Sequence, residues 1–347
     1  MPHDARVIVA GSGPAGLSAA LYLSENGIDT LVIERLSASY PKYHSVCGAG
    51  ISEAAFGELE YIVPDCIRNN IGRTELVFPG GTVITMKVRG YVLDRVAFLQ
   101  ALRKRCEDKG CRFVNAEISS VERTDDGFTV HTSAGDLSSE YLLGCDGAHS
   151  VVRRDLFGSR PEMIPVDEFI TDDEPEPVFR ITLGERYRGL YEWYFPAGDR
   201  SSIGSGKGIL KPEIYIHKGS RHIPFGGVPK ISDGKAYICG DAAGMANPIS
   251  GGGLRAAMVS GQNAAKEIIG GTAGTYQRWW DRSILSSPRF MGFRRTLLSW
   301  TDDDYIKVSR MLRNGRNVYI WGFLSGLLHP KYVPVYIGCL KTFKHTW

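Results

Sequence analysis

Gly11-Ser12-Gly13-Pro14-Ala15-Gly16 sets three glycines at the spacing of a loop that cradles a phosphate. The first glycine permits a tight turn, the second lets a pyrophosphate approach the backbone, and the third allows close helix–strand packing. Pro14 and Ala15 open the helix, whose unpaired N–H groups and dipole favour an anion. Glu34, followed by Arg35, lies close to the spacing of roughly 20 residues expected of an acid that binds a ribose hydroxyl. Glycine-rich turns are common, so the loop alone is a weak signal. Loop, helix and acid together make a dinucleotide site, without saying which dinucleotide.

The elements around these groups follow from patterning. Arg6–Ala10 is a short β-branched run that reads as a buried parallel strand. The segment after the loop carries apolar residues at helical spacing and is closed by Gly27, and Thr30–Ile33 is the next strand. This βαβ unit opens a doubly wound sheet. Alternation between Glu75 and Val92, with Gly80-Gly81 as the turn, predicts antiparallel strands. Asp94–Glu107 predicts a helix, Asp126-Gly127 a hairpin, Asp172–Arg200 more sheet, Lys235–Cys239 a buried strand, and Gly253 to about Ile269 a long helix. Nucleotide-type pieces thus alternate with antiparallel sheet. The expected fold is α/β, a Rossmann-type unit of residues 1–72, 94–158 and 220–275 interleaved with a smaller antiparallel unit of residues 73–93 and 159–219. A helical region of residues 276–347 follows.

Composition sets the outer limits. A net charge of +3 is too small to argue for nucleic acid. Seven scattered cysteines without a CxxC pair suit a reducing cytoplasm better than a disulfide framework, and give no zinc or iron–sulfur spacing. The chain opens directly on a strand, so no signal peptide is expected. No apolar run reaches the roughly 20 residues a membrane span needs. Val318–Leu328 comes nearest, as a core helix or as a greasy surface facing lipid. Gly204-Ser205-Gly206-Lys207-Gly208 reads as a turn or bulge, because Pro212 follows and no amphipathic helix opens. There is no second GxGxxG.

Two further segments narrow the dinucleotide. Cys145-Asp146-Gly147-Ala148-His149-Ser150 resembles the DG motif of flavoproteins with the p-hydroxybenzoate hydroxylase fold. Cys239-Gly240-Asp241-Ala242-Ala243-Gly244, with Pro248 and Gly251-Gly252-Gly253-Leu254 beyond it, resembles their GD motif. The resemblance implies FAD. It implies that Asp241 binds the ribityl chain, that the glycines after Pro248 bring a helix N-terminus to the flavin pyrimidine, that Arg95 lies near the phosphates, and that Ile118 lies near the adenine.

Tyr191-Glu192-Trp193-Tyr194-Phe195-Pro196 is similar to the YxWxFP motif of geranylgeranyl reductases. The segment from Lys42 to Ser52, with Cys47, Gly48 and Gly50, resembles the cysteine–glycine stretch those enzymes carry beside the flavin. Archaeal members, which the chain looks most like, saturate the prenyl chains of membrane lipids. An isolated alkene has no carbonyl to polarise it, so a hydride must be matched by a proton to the other carbon. Tyr191, Trp193 and Phe195 share one strand face and suit the wall of a dry slot for the chain, or else are core aromatics. Cys47 is a candidate to bond the ring, touch substrate or relay a proton, or is a small apolar filler. Tyr43 and His44 are alternative proton sources, or packing and surface residues. The stretch from Phe195 to Gly240 reads as short for the family, with a smaller or more open pocket.

The resulting expectation is an FAD-dependent reductase of a prenylated lipid or related isoprenoid, cytoplasmic and peripheral to the membrane at most. Its rivals are a monooxygenase using NAD(P)H and oxygen, and a non-catalytic flavin electron carrier. The donor is external, a ferredoxin-like carrier or NAD(P)H; Arg103, Lys104 and Arg105 either dock an acidic carrier or form a solvated helix face.

Overall fold

Every residue of the strand Ala5–Ala10 except Arg6 is buried, as a run that is apolar on both faces requires. It pairs in parallel with Thr30–Glu34 on one side and Gly135–Gly144 on the other. Arg112–Asn115 extends this sheet beyond Thr30–Glu34, and Ala236–Ile238 extends it beyond Gly135–Gly144. Antiparallel strands Ile118–Arg123 and Phe128–Thr132 branch from Gly135–Gly144. The helices Pro14–Glu25 and Leu254–Gly270 pack tightly on each other: a side chain at Gly261 would bring its Cβ within 2.2 Å of the Ala15 carbonyl oxygen. This is a computed structural model, and it describes residues 3–35, 47–59, 61, 64–313, 330–335 and 337–338.

A second sheet runs in the order His217–Phe225, Glu162–Thr171, Arg200–Gly206, Glu192–Ala197, Val178–Thr182, Arg73–Val77, Val83–Met86. All of its pairings are antiparallel except Val178–Thr182 with Arg73–Val77. A three-stranded sheet of Gly50–Ser52, Gly90–Leu93 and Ile67–Ile71 joins the two. Its residues Ile71 and Val92 meet Phe179 and Phe195 of the antiparallel sheet in a small shared core. The described C-terminal part is helical, with Thr275–Asp281, Pro288–Leu298 and Asp302–Arg313.

The expected α/β architecture is therefore present. The sheet is larger than the alternation from Asp172 to Arg200 predicts, because Glu162–Thr171 is a full ten-residue strand. Pro165 and the adjacent acids Asp167 and Glu168 break its apolar pattern, although both acids are only 2% exposed. The Gly204–Gly208 segment ends the strand Arg200–Gly206 and turns, as expected. Val318–Leu328 lies outside the described residues. No helix among the described residues is long and apolar enough to cross a membrane.

Candidate active site

The glycine loop begins where Gly11 N–H donates to the Ile33 carbonyl at 2.8 Å. Gly11 has φ +95°, and a Cβ there would lie 2.5 Å from the Cys145 carbonyl oxygen. A Cβ on Gly16 would lie 2.0 Å from the Gly11 carbonyl oxygen, so this position is closed by packing. Gly13 differs: a Cβ would meet nothing within 4 Å, which leaves the loop open to a ligand at that point. Gly13 is the N-cap of the following helix and provides no side-chain cap, while Pro14 occupies the first turn. Glu34 accepts both the Ser12 N–H, at 2.9 Å, and the Ser12 hydroxyl, at 3.1 Å, and so holds the loop in shape. Arg35 beside it is exposed, and Ile118 is half-buried against the parallel-sheet core.

The neighbouring parallel strands Gly135–Gly144 and Ala236–Ile238 bring the two aspartate motifs to one edge of the sheet. Asp146 Oδ2 accepts the N–H groups of Val151 and Val152 at 2.7 and 3.2 Å, while its Oδ1 is buried without a partner. Gly147 next to it has φ +79° and open space on its Cβ side. Arg153 bolts the motifs together, donating to the carbonyls of Ala242, at 2.7 Å, and Ala148, at 2.8 Å. Burial pushes the Asp241 carboxyl upward, while the charges of Arg221 and Arg95 pull it back. Burial likewise lowers Arg95, whose Nε is buried without an acceptor. Gly240, at φ +57°, packs against Ala257 and Ala15 and lets the Asp241 turn sit on the helices.

Beyond Asp241, Asn247 shapes the loop. Its Oδ1 accepts the N–H groups of Ile249 and Ser250, and its backbone exchanges hydrogen bonds with Gly251 and Gly252 at 2.9 Å each. Pro248 lies within this turn, and Gly253 is the N-cap of Leu254–Gly270, again without a side-chain cap. Arg294 is 6% exposed and donates one nitrogen to the carbonyls of both Pro248 and Gly189, at 3.2 Å. No sequence signal marked it, since its role depends on a helix nearly 50 residues downstream.

Tyr191 donates its hydroxyl to the Ser250 carbonyl, tying the antiparallel sheet to this loop. Burial, then the nearby Cys47, pushes the Tyr191 phenol up. Trp193 lies flat across Gly204, where any Cβ would come 1.9 Å from the indole, and donates Nε1–H to Ser202 Oγ at 3.2 Å. Tyr191 and Trp193 are half-buried, but Phe195 is 7% exposed and stacks edge-on to Phe179 at 4.5 Å. Phe195 supports the strip at Gly48 and Gly50: a Cβ on Gly48 would lie 2.8 Å from its ring. Cys47 is exposed, and its Sγ accepts the Ala49 N–H at 3.4 Å. Tyr43 and His44 lie outside the described residues. On the helix face, Arg103 pairs with Glu107 at 2.9 Å, Lys104 with Asp108, and Arg105 with Glu25 at 4.0 Å, which neutralises much of that basic patch.

FAD fits this set of groups. The open glycine and the two uncapped helix starts suit phosphates and a polar ring edge, and the orphaned Arg95 Nε and Asp146 Oδ1 need polar partners of the kind it carries. Residues 4–52 match the family model described as an FAD binding domain. The chain is 26% identical over 343 residues to a chloroplastic geranylgeranyl diphosphate reductase of Arabidopsis thaliana, covering 82% of this chain and 72% of that one. It is 29% identical over 304 residues to digeranylgeranylglycerophospholipid reductase 1 of Methanopyrus kandleri, covering 76% and 80%. Its fold is like that of a geranylgeranyl bacteriochlorophyll reductase-like protein from Thermoplasma acidophilum, with a TM-score of 0.78 at 20% identity over 98% of this chain and 99% of that one. The chain is accordingly an FAD-binding protein of the flavin-dependent oxidoreductase class. Within that class it resembles the geranylgeranyl reductases and the archaeal digeranylgeranylglycerophospholipid reductases.

Proposed function

We propose that the chain saturates carbon–carbon double bonds of a prenyl chain carried on a lipid or related isoprenoid. The observation that supports this reading is the junction of the Tyr191–Trp193 wall with the Ser250–Gly253 loop, the turn that would meet the flavin ring. FAD, when bound and reduced by two electrons from the donor, would supply the hydride. The chain's residues do the rest. Gly11, Gly13, Gly16, Glu34 and Arg95 hold its nucleotide end, and Asp146, Asp241 and the Gly251–Gly253 turn hold its flavin end. Tyr191 and Trp193 exclude water from one side of an apolar substrate and orient it, with Phe195 supporting them from the core. Cys47 Sγ is the exposed thiol on the strip beside this wall, with Tyr43 and His44 as the other candidates. Electrons come from an external donor, a ferredoxin-like carrier or NAD(P)H, and the substrate reaches the site from a membrane that the protein contacts peripherally.

The test is anaerobic reduction of the holoprotein, addition of a geranylgeranylated phospholipid, and lipid mass analysis beside the flavin spectrum. Gain of hydrogen pairs with reoxidised flavin is the expected result. Unchanged lipid with the flavin still reduced refutes the reading.

A further inference from the structure

We propose that Glu168 is a positioning residue that sets Cys47 in place beside the Trp193 wall, an inference that rests on the double-bond reductase reading of this site. Glu168 lies in mid-strand and is 2% exposed. Its Oε2 accepts the Cys47 N–H at 2.8 Å, and its Oε1 accepts the Ser202 hydroxyl at 2.6 Å. Ser202 Oγ in turn accepts the Trp193 indole N–H at 3.2 Å. One carboxylate therefore links the cysteine strip to the aromatic wall, two segments more than a hundred residues apart in the chain.

The strip needs such an anchor. Ala49 has φ 49°, a left-handed conformation that residues with a Cβ rarely adopt. Its N–H donates to Cys47 Sγ at 3.4 Å, so the strained turn and the place of the sulfur are one feature. Strain of this kind persists only where the surroundings over-determine it. Downstream the turn is held by the Leu93 N–H, which donates to the Ala49 carbonyl at 3.1 Å, and by Phe195 beneath Gly48. Upstream, among the described residues, the antiparallel sheet holds the turn through the bond from Cys47 N–H to Glu168. An apolar residue at 168 would be cheaper to bury, but would leave the Cys47 N–H and the Ser202 hydroxyl without this acceptor.

The test uses the holoprotein and two readouts. Cys47 is exposed while Cys66, Cys106, Cys111, Cys145 and Cys239 are buried, so its alkylation by iodoacetamide, located by peptide mass, reports the turn directly. Turnover of a geranylgeranylated phospholipid by reduced protein reports the chemistry. Glu168→Ala is expected to speed Cys47 alkylation by about fivefold or more and to lower kcat by about tenfold, with KM within about twofold of wild type. Glu168→Gln is expected to restore both to within about threefold, because its amide oxygen still accepts the Cys47 N–H. Ser202→Ala removes only one of the two bonds and is expected to move both readouts the same way by less; it carries the test if Glu168→Ala does not fold. Alkylation and kcat within about twofold of wild type in Glu168→Ala or, failing that, in Ser202→Ala would overturn the proposal, as would a Glu168→Gln variant as impaired as the alanine one. If wild type reduces no alkene yet Glu168→Ala still frees the thiol, the anchor stands and the double-bond reading fails.

Discussion

The parallel and antiparallel sheets handle polar groups in different ways. In the parallel sheet the buried strand residues are almost all apolar, from Val7–Ala10 through Leu31–Ile33 to Ala236–Ile238, and the polar groups of the site stand at strand ends and in loops. In the antiparallel sheet, Thr74, Glu75, Asp167, Glu168, Ser201, Ser202 and Ser205 are buried inside the strands themselves. There each must be satisfied by a neighbour: Glu75 by Arg73 and Arg180, Asp167 by Ser220 and the Gly208 N–H, Glu168 by Ser202 and Cys47. One half keeps its polar groups at strand ends and in glycine turns, and the other buries them in side-chain networks within its strands. Backbone geometry tolerates almost no added volume, whereas a network tolerates any change that keeps its hydrogen bonds.

Gly16→Ala gives the largest effect that this contrast implies. Its Cβ would sit 2.0 Å from the Gly11 carbonyl oxygen, a backbone atom, so a loss of about 3 kcal/mol and of retained flavin is expected in urea unfolding and absorbance. Gly13→Ala sharpens the point within the same loop. Nothing lies near its Cβ, so the apoprotein should melt as wild type does, while FAD binding by titration weakens about tenfold, or about 1.4 kcal/mol. Equal destabilisation by the two alanines would break the distinction between packed and ligand-facing glycines. Arg95→Leu removes a half-buried cation whose buried Nε lacks an acceptor. FAD retention is expected to fall about tenfold, while the apoprotein, which keeps Arg221 beside Asp241, unfolds within about 1 kcal/mol of wild type; unchanged retention would contradict this.

The smallest effect belongs to the network. Burial raises the Glu168 carboxyl above its ordinary value of 4.5, so the folded state holds that proton more tightly than the unfolded chain. The stability it contributes is complete below that ordinary value and is lost as pH rises through the higher folded value. Glu168→Gln has no such proton, so wild type should lose stability relative to the variant as pH climbs from about 4.5 upward. Parallel pH curves for the two proteins would show that Glu168 does not titrate differently on folding.

The legibility of each half follows from the same contrast. Gly11, Gly13 and Gly16 announce the tight turn and close approaches by type, and the strands Ala5–Ala10 and Thr30–Glu34 announce themselves by the apolar runs Val7–Ala10 and Leu31–Ile33. The strand Glu162–Thr171 hid behind Pro165 and two acids, because a buried carboxylate looks like a surface residue until its donors are known. Phe195 shares a strand face with Tyr191 and Trp193 in the sequence, yet it alone sinks into the core with Phe179. Alternation assigns a face, but not how deep along the strand that face is covered.

By itself the sequence determined the dinucleotide loop, the acid after it, the two aspartate motifs and their order, since each is written in residue types at a fixed local spacing. Only the tertiary structure decided which groups meet: Arg153 with Ala242, Arg294 with Pro248, Tyr191 with Ser250, and Glu168 with Cys47. Those pairings join residues some 50 to 120 positions apart, where the partner is chosen by how two sheets and the C-terminal helices pack and no local spacing records the choice.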